Sequence, residues 1–487
     1  MAAAKRYFSL LAAAVLAGCA VGPDYVRPDA AMPDRFIGQS AIEQRGATQT
    51  ADLAQWWTGF GDPQLARYVA LALEQNLDLA AAQARVTQSR AALRYATAGL
   101  LPSGSVTAAA AYNHQSLKTP LGRLLNEVPD YDRNGEYYEA NFVASWEVDV
   151  FGGVRRAREA AQAEYQASQA GVSAARLAVA AQTADTYVAI RGLQSRLAIA
   201  QQQVQTSQRL ADIVKLQFDK GLAAELQMKQ AEGAVAQFAA NVPVLETSLE
   251  AAMNALDVLL GAQPGTHRAE LEAEAPIPAA PGLAAAGSPA ELLRRRPDLI
   301  VAERRLAASN ARVGVAVSEY FPKVSLAALV GSATTTAGTW FGNGASQAQG
   351  IFGLRWRLFD FGRVDAEIAA AKGANAEALA AYRLAVLRAS QDVEDAFSAW
   401  NKREAQEKIL AGGEAALSRA RDASLAAYQG GTVSLIEVLN ADSSLLQTRD
   451  VRAQAQVESA SAAIASFRAL GGGWSAPDAA AVAQLSR

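Results

Sequence analysis

The stretch WEVDVFGGV at positions 146–154 returns as WRLFDFGRV at positions 356–364, about 210 residues further along the chain. The residues that the two copies share are Trp146, Asp149, Phe151, Gly152 and Val154, which correspond to Trp356, Asp360, Phe361, Gly362 and Val364. In both copies the stretch follows alternating apolar and polar residues and precedes a long alanine-rich segment. The sequence therefore predicts a junction between a strand and a helix that occurs twice.

The duplication extends beyond this junction. Asp185 is matched by Asp395 at the same spacing, and Gly221 is matched by Gly431. Upstream the spacing is 220 residues, where residues 76–79 correspond to residues 296–299. Solenoid repeats have periods of about 20 to 50 residues, so these copies are too long to be solenoid units. We interpret the chain as one duplicated unit that is folded into a single body.

The N-terminus predicts export and lipid attachment. Two basic residues precede an apolar run from Phe8 to Leu16, which is typical of a secretory signal and too short to span a bilayer. Cys19 is the only cysteine, so an intrachain disulfide is excluded. It is either a chance cysteine or the acylated first residue of a bacterial lipoprotein, with S-diacylglyceryl and N-acyl groups. We favour acylation. Ala20, in place of aspartate, points to the outer membrane.

The composition disfavours several classes of protein. A net charge of -3 with interspersed charges offers no basic face for nucleic acid. The two histidines, His114 and His267, have no partner at the spacing of a metal or catalytic site, and the chain lacks a phosphate-binding glycine loop. We therefore expect no enzyme activity, no metal site and no cofactor. After the signal no apolar stretch reaches the roughly 18 residues of a membrane helix, so any membrane-crossing part must consist of strands.

Four segments are predicted as strands, at about 103–114, 137–149, 323–331 and 350–359. In the second segment Tyr138, Phe142 and Trp146 alternate with polar residues such as Glu139 and Glu147. Segments of about ten residues with one apolar face are typical of transmembrane β-barrels. A soluble sheet packed on helices alternates in the same way. The predicted lipid anchor and the position of each strand pair between helices favour the barrel.

Four strands cannot close a barrel alone, because bacterial examples begin at about eight strands. Two chains would give eight strands around an interior filled by side chains. Three chains would give twelve strands around a passage for water and solutes. We therefore predict a homotrimer.

Long helices are predicted at about 154–217 and 222–260, and again at 364–429 and 432–470. At 1.5 Å per residue the first would be about 95 Å long. Glycines mark the turn in each helical hairpin: Lys220 and Gly221 in the first, Gly430 and Gly431 in the second. An ordinary coiled coil would explain such helices, but it would not explain the strand pair that precedes each of them.

The chain divides into six segments. They are a signal peptide at 1–18, a lipid-anchored extended segment at 19–65, a first repeat at 66–260, a proline- and glycine-rich crossover at 261–289, a second repeat at 290–470 and a tail at 471–487.

Several motifs resemble those of the OprM/NodT-type outer-membrane lipoproteins, which belong to the TolC-like export channels. They are the run from Cys19 to Pro28, Trp56 and Trp57 with Phe60, Asp62, Pro63 and Leu65, the string Arg294 to Asp298, and Phe321 with Pro322. The resemblance implies a mainly α protein with a membrane β-barrel portion. Its trimer would form a twelve-stranded β-barrel in the outer membrane and an α-helical barrel across the periplasm.

The resemblance also implies a function. Such channels form the exit duct of a tripartite, RND-type pump, together with a periplasmic adaptor and an inner-membrane transporter, and export drugs or other small toxic compounds. Two alternatives remain open. The chain could be a duct for secreted proteins or metal ions, or a structural periplasmic lipoprotein that conducts nothing.

In the family that this chain resembles, the inner helical hairpins close the periplasmic end. The candidate gate residues are Leu435, Glu437, Leu439 and Asp442, and the candidate adaptor contacts are the turns at Lys220, Gly221, Gly430 and Gly431. Three copies of an acidic residue around a narrow axis would attract cations. Solvated helix faces explain the two acidic residues equally simply, and core packing explains the leucines. Relatives commonly carry arginine where this chain has Ser443.

Overall fold

The computed structural model describes residues 20–29, 32–43, 50–283 and 288–474. The predicted signal peptide at 1–18, acylation at Cys19 and the tail beyond Trp474 lie outside the described residues. The chain forms two compact units. Unit 1 comprises Met1–Pro28, Thr87–Ala167 and Glu303–Ala381, and unit 2 comprises Asp29–Val86, Ser168–Ala302 and Tyr382–Arg487.

The elements follow one another twice in a similar order. The first half contains α1 (Gln39–Glu43), β1 (Thr50–Ala51), a 3-10 helix (Leu53–Phe60), α2 (Pro63–Gln75), α3 (Leu77–Ala98), β2 (Ser103–His114), α4 (Pro120–Leu125), β3 (Asn134–Val148), α5 (Gly153–Asp219), α6 (Glu225–Ala239) and α7 (Asn241–Leu259). The rest contains α8 (Arg268–Leu271), β4 (Gly282–Leu283), α9 (Pro289–Arg295), α10 (Pro297–Ser318), β5 (Lys323–Thr334), β6 (Ser346–Arg355), α11 (Arg363–Gln429) and α12 (Leu435–Ala469).

Unit 1 contains an antiparallel sheet with the strand order β2-β3-β5-β6. The apolar residues of neighbouring strands lie in register, as in the row Val106, Phe142 and Val330. This face is uncovered within the chain, since Phe142 is 53% exposed and Phe352 is 70% exposed. A soluble sheet would bury such a face on helices. The uncovered apolar face therefore fits a sheet whose surroundings are lipid.

The duplicated junction has a direct physical explanation. The Asp149 carboxylate accepts hydrogen bonds from the backbone N–H groups of Val154 and Arg155, at 3.0 and 2.8 Å. The Asp360 carboxylate likewise accepts from Gly362 and Val364, at 3.1 and 2.9 Å. Helix N-termini leave N–H groups unpaired, and a carboxylate there also interacts favourably with the helix dipole. These two aspartates therefore start the 67-residue helices α5 and α11.

The two tryptophans of the junction make equivalent contacts. The Trp146 indole N–H donates to the carbonyl of Leu100 at 3.0 Å, and the Trp356 indole N–H donates to the carbonyl of Tyr320 at 2.9 Å. Leu100 lies just before β2, and Tyr320 lies just before β5. Each tryptophan therefore ties the end of the second strand of a pair to the start of the first strand.

The strand ends differ from the predicted ones by a few residues. β3 begins at Asn134 rather than 137, and β5 continues to Thr334 rather than 331, because ladder pairing persists beyond the alternating residues. β6 runs over Ser346–Arg355 instead of 350–359. Its last pair is Arg355 with Lys323, and the residue before Lys323 is Pro322, which has no N–H to continue the ladder.

The predicted helix at 222–260 consists of two helices. α6 ends at Ala239 and α7 begins at Asn241, so the expectation of one continuous helix was wrong. Pro243 explains the break, because proline lacks the N–H that would bond to the carbonyl of Ala239 and its ring crowds that carbonyl. α12 has no proline and runs unbroken over Leu435–Ala469.

The core of unit 2 is aromatic. Trp56 is 1% exposed and stacks on Phe467, with ring centroids 5.5 Å apart and planes 5° apart. Trp400 packs on the same phenylalanine, with ring centroids 5.9 Å apart. Asp62 caps α2 and accepts a hydrogen bond from the Tyr187 hydroxyl at 2.8 Å. Burial, with a smaller effect of Asp62, raises the pKa of Tyr187 to about 12, so this hydroxyl remains a donor.

One contact in unit 2 occurs in both copies. The Asn76 side-chain amide donates to the carbonyl of Leu259 at 2.9 Å, and the Arg296 guanidinium donates to the carbonyl of Ala469 at 3.2 Å. Asn76 and Arg296 are equivalent positions in the two repeats. Each acceptor is the last residue of the return helix, Leu259 in α7 and Ala469 in α12. In each repeat, a side chain at this position therefore ties the end of the return helix to the start of the helix that precedes the strand pair, α3 or α10.

Among the described residues, none of the helices combines the length and the apolar character that crossing a bilayer would require.

The crossing of α5 and α12 supplies a stability test. A Cβ atom added at Gly192 would lie 2.1 Å from Val457 Cγ2, so Gly192→Ala should destabilise the protein by about 1–3 kcal/mol through overpacking. The measurement is the midpoint of thermal unfolding, followed by circular dichroism at 222 nm in detergent.

Two further variants sharpen this test. Gly192→Ala combined with Val457→Ala should recover most of the loss, because the Val457 atom that then lies nearest is 3.5 Å away. Gly171→Ala in the same helix meets no atom within 4 Å and should raise stability by up to about 1 kcal/mol. Equal effects of the two glycine substitutions would contradict the proposed close crossing.

Candidate functional site

The two hairpin turns have the same backbone geometry. After α5 the Leu222 N–H donates to the carbonyl of Gln217 and the Gly221 N–H donates to the carbonyl of Phe218, both at 2.8 Å. After α11 the corresponding bonds join Thr432 to Ala427 and Gly431 to Tyr428, both at 2.9 Å. Gly221 and Gly431 have φ values of 71° and 73°. This is the Schellman ending of a helix, in which glycine supplies the left-handed residue.

A cluster of buried apolar residues lies next to these turns. It consists of Leu210, Ala211 and Val214 from α5, Ala231 from α6, and Leu435 and Val438 from α12; we call it the hairpin-end cluster. Leu439 packs against it and is partly buried. The Tyr428 hydroxyl donates to the side chain of Gln217 at 2.8 Å, which adds a polar link between the two hairpins.

The structure separates the four candidate gate residues. Leu435 is 1% exposed in the hairpin-end cluster, so within the chain it has the role of a core residue. Glu437, two residues further on, is exposed. Asp442 is 4% exposed, so within the chain it does not lie on a solvated helix face.

Asp442 is held by an arginine on the facing helix. Arg421 Nε lies 2.9 Å from Asp442 Oδ1, and Arg421 Nη1 lies 3.0 Å from Asp422 Oδ1. Burial, the largest single influence, lowers the pKa of Arg421, but the two carboxylates together raise it. Arg421 therefore stays charged, and it joins the two helices of the second hairpin just above the turn.

The ion pair of Asp442 lies beside a polar cavity of about 110 Å³, lined in part by Gln203, Thr206 and Arg449. One water molecule takes up about 30 Å³ in the liquid, so the cavity is large enough for water to reach the pair. The Arg421 side chain is 26% exposed and the Asp442 side chain only 6%, so the pair is open to solvent mainly on its arginine side. Separating the pair would leave the buried Asp442 carboxylate without its partner unless water entered from the cavity.

Further ion pairs join α11 and α12 away from the turn. Glu414 lies 3.0 Å from Arg449 and 2.8 Å from Arg452. Arg452 also pairs with Glu407 at 3.1 Å, and Arg403 pairs with Glu458 at 2.9 Å. We call these contacts, together with Arg421–Asp442, the hairpin ladder.

The charge of Glu414 is stabilised in the folded chain. Burial, its largest influence, raises the pKa of Glu414, but the hydrogen bonds from Arg452 and Arg449 outweigh burial and lower it. The carboxylate form of Glu414 is therefore favoured, which maintains its ion pairs with Arg449 and Arg452.

Sequence reasoning did not find Arg421. The structure brings Arg421 from the other helix of the hairpin to Asp442. A signal was available, because Arg421 lies ten residues before Gly431 and Asp442 lies eleven residues after it. Residues equally far from the turn of an antiparallel hairpin face each other, and the same rule places Glu414 opposite Arg449.

The histidines have local structural contacts. His267 Nδ1 lies 2.7 Å from Asp257 Oδ1, and the imidazole packs edge-on against Tyr68. His114 Nδ1 lies 2.7 Å from Asn134 Oδ1. Within residues 20–29, 32–43, 50–283 and 288–474, no group of three or more His, Cys, Asp or Glu side chains could hold a metal ion.

Comparisons with known proteins agree with this architecture. The family described as outer membrane efflux protein matches residues 68–262 and 289–472, one match for each copy of the repeat. The pyoverdine export outer membrane protein OpmQ of Pseudomonas putida is 32% identical over 444 residues, covering 87% of this chain and 88% of that protein. Nodulation protein T of Rhizobium leguminosarum bv. viciae is 30% identical over 485 residues, covering 98% and 96%.

A solved structure described as the outer-membrane channel OprN has a TM-score of 0.84 and 32% sequence identity, and covers 94% of this chain and all of that one. The match of fold and sequence extends over both repeats, the sheet and the helical hairpins. This chain belongs to the outer membrane efflux protein family.

Proposed function

We propose that this chain is the outer-membrane channel of a tripartite efflux system and exports drugs or other small toxic compounds. The observation that carries the proposal is that each repeat contains a strand pair with an uncovered apolar face, followed by a 67-residue helix. The strands suit an outer membrane, and the helices are long enough to extend far into the periplasm. Membership of the efflux family supports the same function.

A homotrimer would complete the sheet. Among the described strands, β2 and β6 pair on one side only, so each leaves an open edge. Long open edges with an apolar face promote association with another chain. Successive strands alternate in direction, so β6 of one copy and β2 of the next would also be antiparallel. Three copies would give twelve strands and room for a channel.

The first described residues, which follow the proposed lipid anchor at Cys19 in the chain, are held at the strand-to-helix junction. The Val21 N–H donates to the carbonyl of Phe151 at 3.0 Å, and Arg156 pairs with Asp24 at 2.7 Å. Arg156 also donates to the carbonyls of Val21 and Gly22, and its side chain is only 5% exposed. The segment after Cys19 is therefore fixed to unit 1, and acylation would attach this end of unit 1 to outer-membrane lipid.

The hairpin turns are the proposed contacts of the periplasmic adaptor, which would link the channel to an inner-membrane transporter. The turns contain Lys220, Gly221, Gly430 and Gly431. Leu222 follows the first turn with 77% exposure, and Ile436 follows the second with 48% exposure. An adaptor that covered both turns would bury these two apolar side chains, which stabilises the contact.

The proposed lock of the periplasmic end is the ion pair of Arg421 with Asp442. Glu437 remains the candidate for an acidic ring, because its side chain is exposed. Leu439 could contribute to a constriction, whereas Leu435 holds the hairpin-end cluster together. In this proposal, opening requires the two helices of the second hairpin to separate near the turn.

A strain that lacks this protein should be hypersensitive to drugs and accumulate dye, because the pump would have no exit duct. Wild-type protein should restore both. Cys19→Ala with a cleavable non-lipoprotein signal should restore less, if acylation is needed for assembly. Unchanged susceptibility and accumulation for every compound would contradict the efflux proposal. That result would favour a duct for other cargo or a structural lipoprotein.

Asp442→Ala should increase single-channel conductance or open probability in planar bilayers several-fold, since it removes the proposed lock. Arg403→Ala is the matched control, because it breaks a ladder pair of the same length farther from the turn and should leave conductance unchanged. Exchanging the charges, Arg421→Asp with Asp442→Arg, should restore the closed state. Wild-type traces for Asp442→Ala would exclude this pair from the gate.

The ladder also predicts a dependence on pH. Folding lowers the pKa of Glu414, so its contribution is present above the ordinary carboxyl pKa of about 4.5 and is lost as pH falls through the lowered value. The wild type should unfold at a higher temperature than Glu414→Gln at pH 7, by an amount that corresponds to about 1 kcal/mol or less. The difference should shrink as the pH falls below about 4.5 and the Glu414 carboxylate becomes protonated. A difference that persists in acid would show that the charge of Glu414 is not its cause.

A further inference from the structure

The two hairpins of the sheet have the same register. Ser103 pairs with Ser145 in the first hairpin, and Lys323 pairs with Arg355 in the second. The spacing between the first members is 220 residues and between the second members 210, which are the two offsets of the sequence duplication. The duplication therefore preserves strand pairing residue by residue.

The pairing between the two hairpins is also known. β3 and β5 join with Trp146 opposite Leu326 and with Ala144 opposite Ala328. When the second repeat is aligned with the first, β6 corresponds to β3. The strand equivalent to β5 on the other side of β6 is β2, which lies at the far edge of the same sheet. The equivalent of the β3–β5 contact must therefore be made with another copy.

We propose that β6 of one copy pairs with β2 of the next in the register that the duplication dictates, so that Leu354 lies opposite Ala108 and Trp356 lies opposite Val106. The positions follow when Ala144 and Trp146 are advanced by 210 residues and Ala328 and Leu326 are moved back by 220. This inference rests on the proposed trimer and specifies its interface.

The side chains agree with this register. A slip of one residue would place every side chain of one strand on the opposite face. In the proposed register Val106 and Ala108 face Trp356 and Leu354, all four on the apolar side of the sheet. Val106 is 77% exposed and Leu354 is 62% exposed in the single chain, so both are available to a neighbour.

The flanking junction supports the same partner. Phe151 stacks on Phe321 within the chain, with ring centroids 4.7 Å apart. Its counterpart Phe361 is fully exposed, and Leu101, which corresponds to Phe321, is 64% exposed. The register brings Phe361 to Leu101 of the neighbouring copy. Two apolar side chains that have no cover in one chain would thus cover each other.

Cysteine cross-linking tests the register directly. Cys19 is the only native cysteine, so introduced pairs can be oxidised without competition once Cys19 is acylated. Ala108→Cys with Leu354→Cys should give covalent dimers and trimers on a non-reducing denaturing gel, because directly opposed residues have Cα atoms about 4.5–5.5 Å apart, within disulfide range. Ala110→Cys with Leu354→Cys shifts the pair by two residues on the same face and should give at least tenfold less product.

Two controls separate the possible failures. Ala144→Cys with Ala328→Cys is the equivalent pair inside one chain and should form an intramolecular bond, which shows that the oxidation works. Light scattering in detergent reports whether the protein is a trimer. A trimer in which the shifted pair cross-links best would overturn the proposed register alone, whereas the absence of a trimer would overturn the assembly on which it rests.

A second measurement does not depend on disulfide geometry. Leu101→Phe recreates the aromatic pair of the first junction across the interface and should raise the temperature at which the trimer dissociates in SDS. Phe361→Ser should lower that temperature. Neither change should alter the mass of the trimer in mild detergent. No effect of either variant on dissociation would overturn the contact between Phe361 and Leu101.

Discussion

The carboxylates of Asp149 and Asp360 hold the point on which the rest of each repeat depends, namely the passage from strand to helix. A 67-residue helix begins with unpaired N–H groups, and here an aspartate shortly after a strand accepts two hydrogen bonds from backbone N–H groups at the start of the helix or next to it. The neighbouring tryptophan donates a hydrogen bond to a carbonyl just before the first strand of the pair. A short local motif thereby joins two kinds of structure that suit two surroundings, lipid for the strands and water for the helices.

The second hairpin of this efflux channel combines two kinds of contact with different strengths. Near its turn Leu435 and Val438 are buried in an apolar cluster, which resists separation because apolar surface would be exposed. Above the cluster the helices meet through ion pairs that are partly open to solvent, such as Arg421–Asp442 and Glu414–Arg449. Such pairs align the helices, and water that enters beside them can replace the lost partner when they separate. This combination suits a hairpin that must close reliably and still be able to move.

The fold was largely predictable, and the candidate site was not. Periodicity located the strands and long helices to within a few residues, because alternation and the absence of proline are local properties. The break at Ala240 shows the limit of that reasoning, since Pro243 had to be read as an interruption of the return helix. At the site, Asp442 was predicted to be a gate residue that could face an axis, but in the chain it is buried against Arg421.

The sequence by itself contains the duplication. It also determined the capped junctions and the glycine turns, because both depend on hydrogen bonds between residues close together in the chain. Only the tertiary structure decided which face of α12 is buried, placing Leu435 in the core and leaving Glu437 in solvent. It also decided that Arg421 is the partner of Asp442. The physical reason is that the rotation of a helix about its axis is set by packing against neighbouring helices, which alanine-rich sequences with few large apolar residues leave almost unspecified.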